Sequence, residues 1–346
     1  MQSIEKIYKI RLPFFLILFI CILSRPALSF AEWNVSAGSA FYYTNDAALF
    51  SATRRLSRNQ DPTQPVIDGK LAKQGKDMVY EPTAKIVKSF SLLDRPTELA
   101  VRGQGFVFAD NSRFNHGALG VHANHNLSST TKLILRYFFG PNLLIGKNEV
   151  RPIEETAEEQ PLLKNEIVTT NFWSAGIAQQ IPGMDDARLI LFGRYGLRNY
   201  DKPFKQRDTQ FWTLGTHVEW SPTETVGLAL GYHYERGLAD GRKQPELKDD
   251  VSYNNHFVTG ELGIEMTKNI ALEMALHYEF NGWTTNIQDD ERNGQHENVI
   301  QGDIVVRYHV NQTFQMTAGY QEAFRKESFE EGLNNRSIWV GAKLVF

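Results

Sequence analysis

The sequence predicts an all-β chain closed into an antiparallel up-and-down transmembrane β-barrel of about 14 strands. Three observations predict it. Apolar residues recur at every second position over long stretches, helix-forming runs are scarce beside 26 Gly, 22 Phe and 13 Tyr, and the links between stretches alternate short and long. A period of two gives a strand one apolar and one polar face. The clearest case alternates Ile270, Leu272, Met274, Leu276, Tyr278 and Phe280 with Ala271, Glu273, Ala275, His277 and Glu279. Val226, Leu228, Leu230, Tyr232 and Tyr234 run against Gly227, Ala229, Gly231, His233 and Glu235 in the same way, and Ile300, Ile304, Val306 and Tyr308 against Gln301, Asp303, Arg307 and His309. A soluble sandwich also alternates. Full charges on the polar face of consecutive strands, and aromatic residues gathered near strand ends on the apolar face, favour lipid outside and water inside.

The amino terminus sets the compartment. Lys6, Lys9 and Arg11 precede an apolar run from Leu12 to Leu23, and Ser29-Phe30-Ala31 offers the small residues that signal peptidase reads. Residues 1–31 are therefore expected to be a cleaved secretory signal peptide, and 32–346 the barrel domain. The run is too short for a spanning helix of about 20 residues. Cys21 follows Phe19-Ile20, where a lipobox needs small residues, so lipidation is not expected; beyond it the chain contains no cysteine and hence no disulfide or thiolate chemistry. No later run of 18 apolar residues occurs. The leader carries Lys6, Lys9, Arg11 and Arg25 against Glu5, so the remainder is more acidic than the whole chain's net −3, which argues against a nucleic-acid partner.

The carboxyl terminus alternates Ile338, Val340, Ala342, Leu344 and Phe346 with Ser337, Gly341 and Lys343. This segment resembles the last strand of bacterial outer-membrane β-barrels, which ends in Phe; Gly341, Leu344 and Phe346 fit the glycine-then-alternating-hydrophobics form of their assembly signal. The resemblance implies outer-membrane lipid as the environment and the barrel assembly machinery as a partner. Short links near 93–96, 128–130, 182–186, 221–223, 267–269 and 310–312 would be periplasmic turns. Longer polar segments near 44–77, 110–116, 141–167, 201–207, 237–250, 283–296 and 325–334 would be extracellular loops. The strands expected between them are 33–43, 78–92, 97–109, 117–127, 131–140, 168–181, 187–200, 208–220, 224–236, 251–266, 270–282, 297–309, 313–324 and 335–346, with Pro82 and Lys88 interrupting the second pattern. Such a closed barrel satisfies every backbone group in lipid.

Function is read from the inward face, because the fold hosts many activities. Alternation turns Lys85, Arg102, Lys132, Arg136, Arg188, Arg194 and Arg198 inward on strands two to seven, and Glu219, Glu235, Glu261, Glu265, Glu273, Glu279 and Asp303 on strands eight to twelve. Opposed basic and acidic walls resemble the transverse field of a porin constriction, and with His277 these residues are the expected pore lining. The implied function is a porin-like channel passing small polar solutes or ions; the alternatives are a structural or surface-assembly barrel without an open pore, or a lipid-active enzyme. No cofactor is implied.

Two long loops carry complementary charge: Arg54, Arg55, Arg58, Lys70, Lys73 and Lys76 in one, Glu149, Glu154, Glu155, Glu158, Glu159 and Glu166 in the other. One is expected to fold inward, or both to meet as a lid. The His-x-Glu pairs His217/Glu219, His233/Glu235 and His277/Glu279 would face the lumen; the last two, near the outer mouth with Asn255 and His256, could bind a metal or titrate, but i, i+2 spacing on any inward face brings polar residues together, so solvated lining is the expected reading and no metal site is expected. Inward serines are few, Ser174 and Ser337, and no G-x-S-x-G, H-E-x-x-H or Walker loop occurs, so no catalytic residues and no enzyme are expected. A serine within reach of His277 or His309 would revive a hydrolase.

Overall fold

The computed structural model describes residues 32–53, 75–150, 162–328 and 332–346. The expected leader lies outside them, as do Arg54, Arg55, Arg58, Lys70, Lys73, Glu154, Glu155, Glu158 and Glu159. The described residues form fourteen antiparallel strands in a closed barrel, each paired with its sequence neighbours and the first with the last. They are β1 (Glu32–Thr44), β2 (Asp77–Leu92), β3 (Arg95–Phe108), β4 (His116–Asn126), β5 (Thr131–Glu149), β6 (Leu163–Ile181) and β7 (Met184–Tyr200). The second half comprises β8 (Thr209–Thr223), β9 (Val226–Ala239), β10 (Tyr253–Glu265), β11 (Ile270–Trp283), β12 (His296–His309), β13 (Phe314–Glu327) and β14 (Leu333–Val345). Closure runs from Ser36↔Val345 to Thr44↔Ser337, so the C-terminal strand is also a seam.

The lipid-side belt is apolar. Leu230, Leu276, Val340 and Ile338 are exposed on it. Cross-strand neighbours Tyr137↔Trp173, Trp173↔Tyr195 and Tyr195↔Trp212 carry an aromatic row round the barrel toward the loop end, the amphipathic ring expected at an interface. Near the turn end Lys88 pairs with Trp33, and its ammonium lies 5.1 Å from the Trp33 ring centroid, a cation over an indole. At Pro82, which has no N–H to donate, the β2–β3 ladder passes from Tyr80↔Val107 to Thr83↔Gln104 without a change of register. The β2–β3 turn is tight: Leu93 and Asp94 both have positive φ, 53° and 58°, as a two-residue type I′ hairpin demands.

The largest departure from the expected elements is the β5–β6 hairpin. Gly140-Pro141 reads as a strand end, yet β5 continues to Glu149 and β6 starts at Leu163, leaving a loop far shorter than 141–167. Two register shifts, between Gly140/Leu143 and Leu144/Gly146, absorb the break, and Asn142 takes a left-handed φ of 54°, which its short polar side chain tolerates. Leu143, Leu144 and Ile145 are then all buried. Three consecutive buried residues mean that both faces of the strand are covered.

What covers them is an apolar body inside the loop end of the barrel. Helix α1 (Ala47–Thr53) follows β1 and is capped by Asp46, whose Oδ1 accepts the amides of Ala48 (3.0 Å) and Leu49 (3.2 Å). Ala47, Ala48 and Phe50 from it pack with Tyr42, Val79, Phe106, Phe108, Phe114, Leu143–Ile145, Phe204 and Trp339, and Val305 of β12 packs against the same cluster. These residues come from the arc of strands that runs from β12 through β14 and β1 to β7, so the cluster fills that side of the loop end. The Trp339 ring lies over Gly319 of β13, where an added Cβ would sit 2.2 Å from Cζ2; Phe211 over Gly196 and Tyr253 over Gly237 repeat the arrangement. Glycine on one strand makes room for a ring from the next.

Candidate functional site

Below the apolar body, toward the turn end, lies a cavity of about 1330 Å³. Its mouth is formed by turn residues including Ser128, Thr130, Asp186 and Ser221, and its roof by Phe106, Phe172, Phe192 and Trp339. The strand period largely carries out the expected segregation of charge: Lys85, Arg102, Lys132, Arg136, Arg188 and Arg194 line one side, with Glu98, Asp185 and Asp186 among them, and Glu219, Glu261, Glu273, His277 and Asp303 the other.

The two walls are unequally compensated. Arg188 Nε meets Glu219 Oε2 at 2.5 Å and Arg307 Nη2 meets Glu273 Oε1 at 2.5 Å. Gln301 Nε2 donates to Asp303 Oδ2 at 2.9 Å, and His277 Nε2 faces the same oxygen at 3.4 Å. Arg307 is thus a cation set into the acidic wall, which the division of strands into basic and acidic halves overlooks.

Arg198, Glu235 and Glu279 also lie on inward positions, above the cavity, but in a packed interior. Arg198 Nη2 contacts Glu235 Oε1 at 3.2 Å, and both side chains are almost inaccessible. Tyr253 and Thr213 hydroxyls donate to the two Glu235 oxygens at 2.5 Å each, while the Arg198 guanidinium stacks 4.6 Å from the Phe211 centroid. Such a buried pair needs hydrogen bonds to offset its desolvation, and these supply them. Glu279 accepts the Asn255 amide, and Glu265 is exposed at the turn end of β10.

The His-x-Glu pairs separate in space. His217 and His233, expected at different heights, meet with Nε2 to Nε2 at 2.5 Å and rings stacked at 4.8 Å; β8 and β9 run in opposite senses, and Gly231 sits opposite His217. Their glutamates go elsewhere, Glu219 to Arg188 and Glu235 to Arg198. His256 faces outward, with Nδ1 2.8 Å from the Tyr232 hydroxyl. Among the described residues no group of three or more His, Cys, Asp or Glu is arranged to hold a metal ion. Thr259 Oγ1 lies 2.9 Å from His277 Nδ1; this hydroxyl, imidazole and Asp303 resemble a hydrolytic constellation, but Thr259 and the His277 side chain are both buried.

The loop end carries its own closure. Between β7 and β8, Arg207 Nη1 binds Glu166 Oε2 at 2.6 Å, its Nη2 binds Asp249 Oδ1 at 2.8 Å, and Arg292 Nη1 reaches the same Asp249 oxygen at 3.1 Å. Gln206 Nε2 donates to Asp249 Oδ2 at 2.7 Å. Three loops and the start of β6 are welded by one buried network. Burial pushes the Asp249 carboxyl up, but the two guanidiniums outweigh that and hold it below its ordinary 3.8. Of the two charge clusters expected to meet, the described members do not: Lys76 is exposed, whereas Glu166 serves Arg207 and accepts the Asn148 amide at 2.5 Å.

No family model matches the sequence, and no curated protein sequence matches it. Among solved structures, the outer membrane channel DcaP of Acinetobacter baumannii is similar over 91% of this chain and 97% of that one, with 10% identity and a TM-score of 0.54. The chain has the fold of the bacterial outer-membrane β-barrels. A bacterial polysaccharide outer membrane secretin covers 98% of its own length at 8% identity and a TM-score of 0.49 over 90% of this chain. Pseudomonas aeruginosa OpdK with vanillate covers 99% of its length at 11% identity and 0.42 over 91% of this chain.

The roof of the cavity was the part hidden from sequence reasoning. Tyr42, Phe106, Phe172, Phe192 and Trp339 occupy inward positions, where polar residues are expected. The available signal was an aromatic at inward parity beside a cross-strand glycine, as in Trp339↔Gly319.

Proposed function

We propose that this chain is a channel of the bacterial outer membrane for small polar solutes or ions, held with its outer half closed. The leader 1–31 would direct export, the turn end would face the periplasm, and Gly341, Leu344 and Phe346 would be read by the assembly machinery. The carrying observation is the charged cavity of about 1330 Å³ within a lipid-facing barrel. A barrel with a merely structural role gains nothing from a water-filled chamber lined by opposed charges, whereas a conduit needs one. The apolar body and the Arg207 network lie across the exit and would act as its gate.

Single-channel recording of the refolded chain 32–346 in planar bilayers tests this. The wild type should show rare, discrete openings. Phe50→Ala removes a fully buried anchor of α1, a truncation that costs about 3–5 kcal/mol in packed cores, and should raise open probability at least tenfold. Silence from both folded proteins would refute the channel.

A further inference from the structure

The basic wall of the chamber holds more charge than the fold uses. Lys85 of β2 stands directly opposite Arg102 of β3. Cations facing each other across a ladder destabilise it, so the arrangement opposes folding unless something else answers it. Lys343 of β14 adds to the arc: it pairs with Gly38, which pairs in turn with Thr83, two residues from Lys85. Glycines separate these cations. Gly38 lies between Lys343 and the β2 positions, and Gly120 is opposite Arg102.

Three of the four carboxylates of the acidic wall are committed. Glu219 is paired with Arg188, Glu273 with Arg307, and Asp303 with Gln301 and His277. Among the described residues no carboxylate lies within ion-pair distance of Lys85, Arg102, Lys132 or Lys343. Even counting Glu98 of β3, which also lines the cavity, the surplus charge is therefore positive on β14, β2 and β3, although the opposed charges of the lining look balanced by number. We propose that the arc Lys343, Lys85 and Arg102 is a binding site for a small multivalent oxyanion, a di- or tricarboxylate or a phosphate compound, loaded from the turn end. This deepens the channel reading by naming its solute class, and rests on that reading for the chamber being a solute compartment.

The chemistry fits the residue types. A guanidinium offers a planar fork to a carboxylate or phosphate, while lysines contribute compact point charges that tolerate varied geometry. The barrel wall excludes bilayer lipid, and the apolar body blocks the loop end, so the ligand is soluble and arrives through the turns around Ser128 and Ser221. On the channel reading that is the periplasmic side.

Isothermal titration of citrate into the refolded barrel in detergent at low salt tests the site, with inorganic phosphate as the second probe and spermidine as the cationic control. Saturable binding of citrate or phosphate is expected, whichever is tighter identifying the anion class, with spermidine bound at least tenfold more weakly. Lys85→Gln with Arg102→Gln should weaken binding at least tenfold, and Arg102→Lys by an intermediate factor; Lys205→Gln in the β7–β8 loop should leave it unchanged. Since the double variant removes a repulsive pair, it should fold, and heat-modifiable gel migration would verify this. Absence of binding, equal binding of spermidine, or an unweakened double variant would overturn the site. Channel steps without anion binding would sink this inference alone, and anion binding by a silent barrel would sink permeation alone.

Discussion

Replacing Arg207 with Ala isolates the loop closure from the barrel. The side chain makes two ion pairs, 2.6 Å to Glu166 and 2.8 Å to Asp249, with both carboxylates almost fully buried. Removing one member of a buried pair costs about 3–5 kcal/mol because the remaining charge is left uncompensated. Arg292 still reaches Asp249 at 3.1 Å and Asn148 still donates to Glu166 at 2.5 Å, which places the expected cost at the lower end, about 3 kcal/mol. At 1.4 kcal/mol per tenfold, local opening should become roughly a hundred times more populated. The Asp240 amide, which donates across loops to the Asp208 carbonyl at 2.9 Å, is a direct reporter by hydrogen exchange. Its protection should fall about a hundredfold on this reckoning, while mid-barrel amides such as Leu230 keep theirs. Unchanged protection at Asp240 in a folded Arg207→Ala protein would refute the network as the clamp on these loops.

Two further outcomes follow from the same geometry. Acid should loosen the clamp: the Asp249 carboxyl is depressed below 3.8, so its stabilising contribution is complete above the unfolded value and is lost as pH falls below 3.8 through the folded value. Loop-amide protection should drop in that window, and the drop should shrink in Arg207→Ala. Gly319→Val would drive a side chain into the Trp339 ring, 2.2 Å from an ideal Cβ, at a cost of about 1–3 kcal/mol for overpacking; a lower unfolding temperature and altered Trp fluorescence should report it, and Gly103→Val, where nothing lies within 4 Å, should do neither.

The wall of this protein is legible one strand at a time. Every expected strand is present within a few residues except at the β5–β6 hairpin, because alternation is a local property and lipid on one side leaves it uninterrupted. The inward parity of Arg102, Arg136, Arg194, Glu261, Glu273 and Asp303 follows from the same count. What alternation cannot express is depth. Arg198 and Glu235 share parity with Arg194 and Glu261, yet one pair is sealed beneath loops and the other lines a chamber.

By itself, then, the sequence determined the barrel, its strand number, the faces of its residues and the segregation of charge between its halves, since each depends on periodicity or on composition along single strands. Only the tertiary structure decided that the loop end is filled. The apolar body assembles Phe50, Phe108, Leu144, Phe204 and Trp339 from five distant segments, and the clamp joins Glu166 at the start of β6 with Arg207, Asp249 and Arg292 from three loops. Contacts of that kind depend on where closure of the ring brings remote residues, and on bulges such as that at Asn142 which turn a hairpin inward. Neither has a local signature.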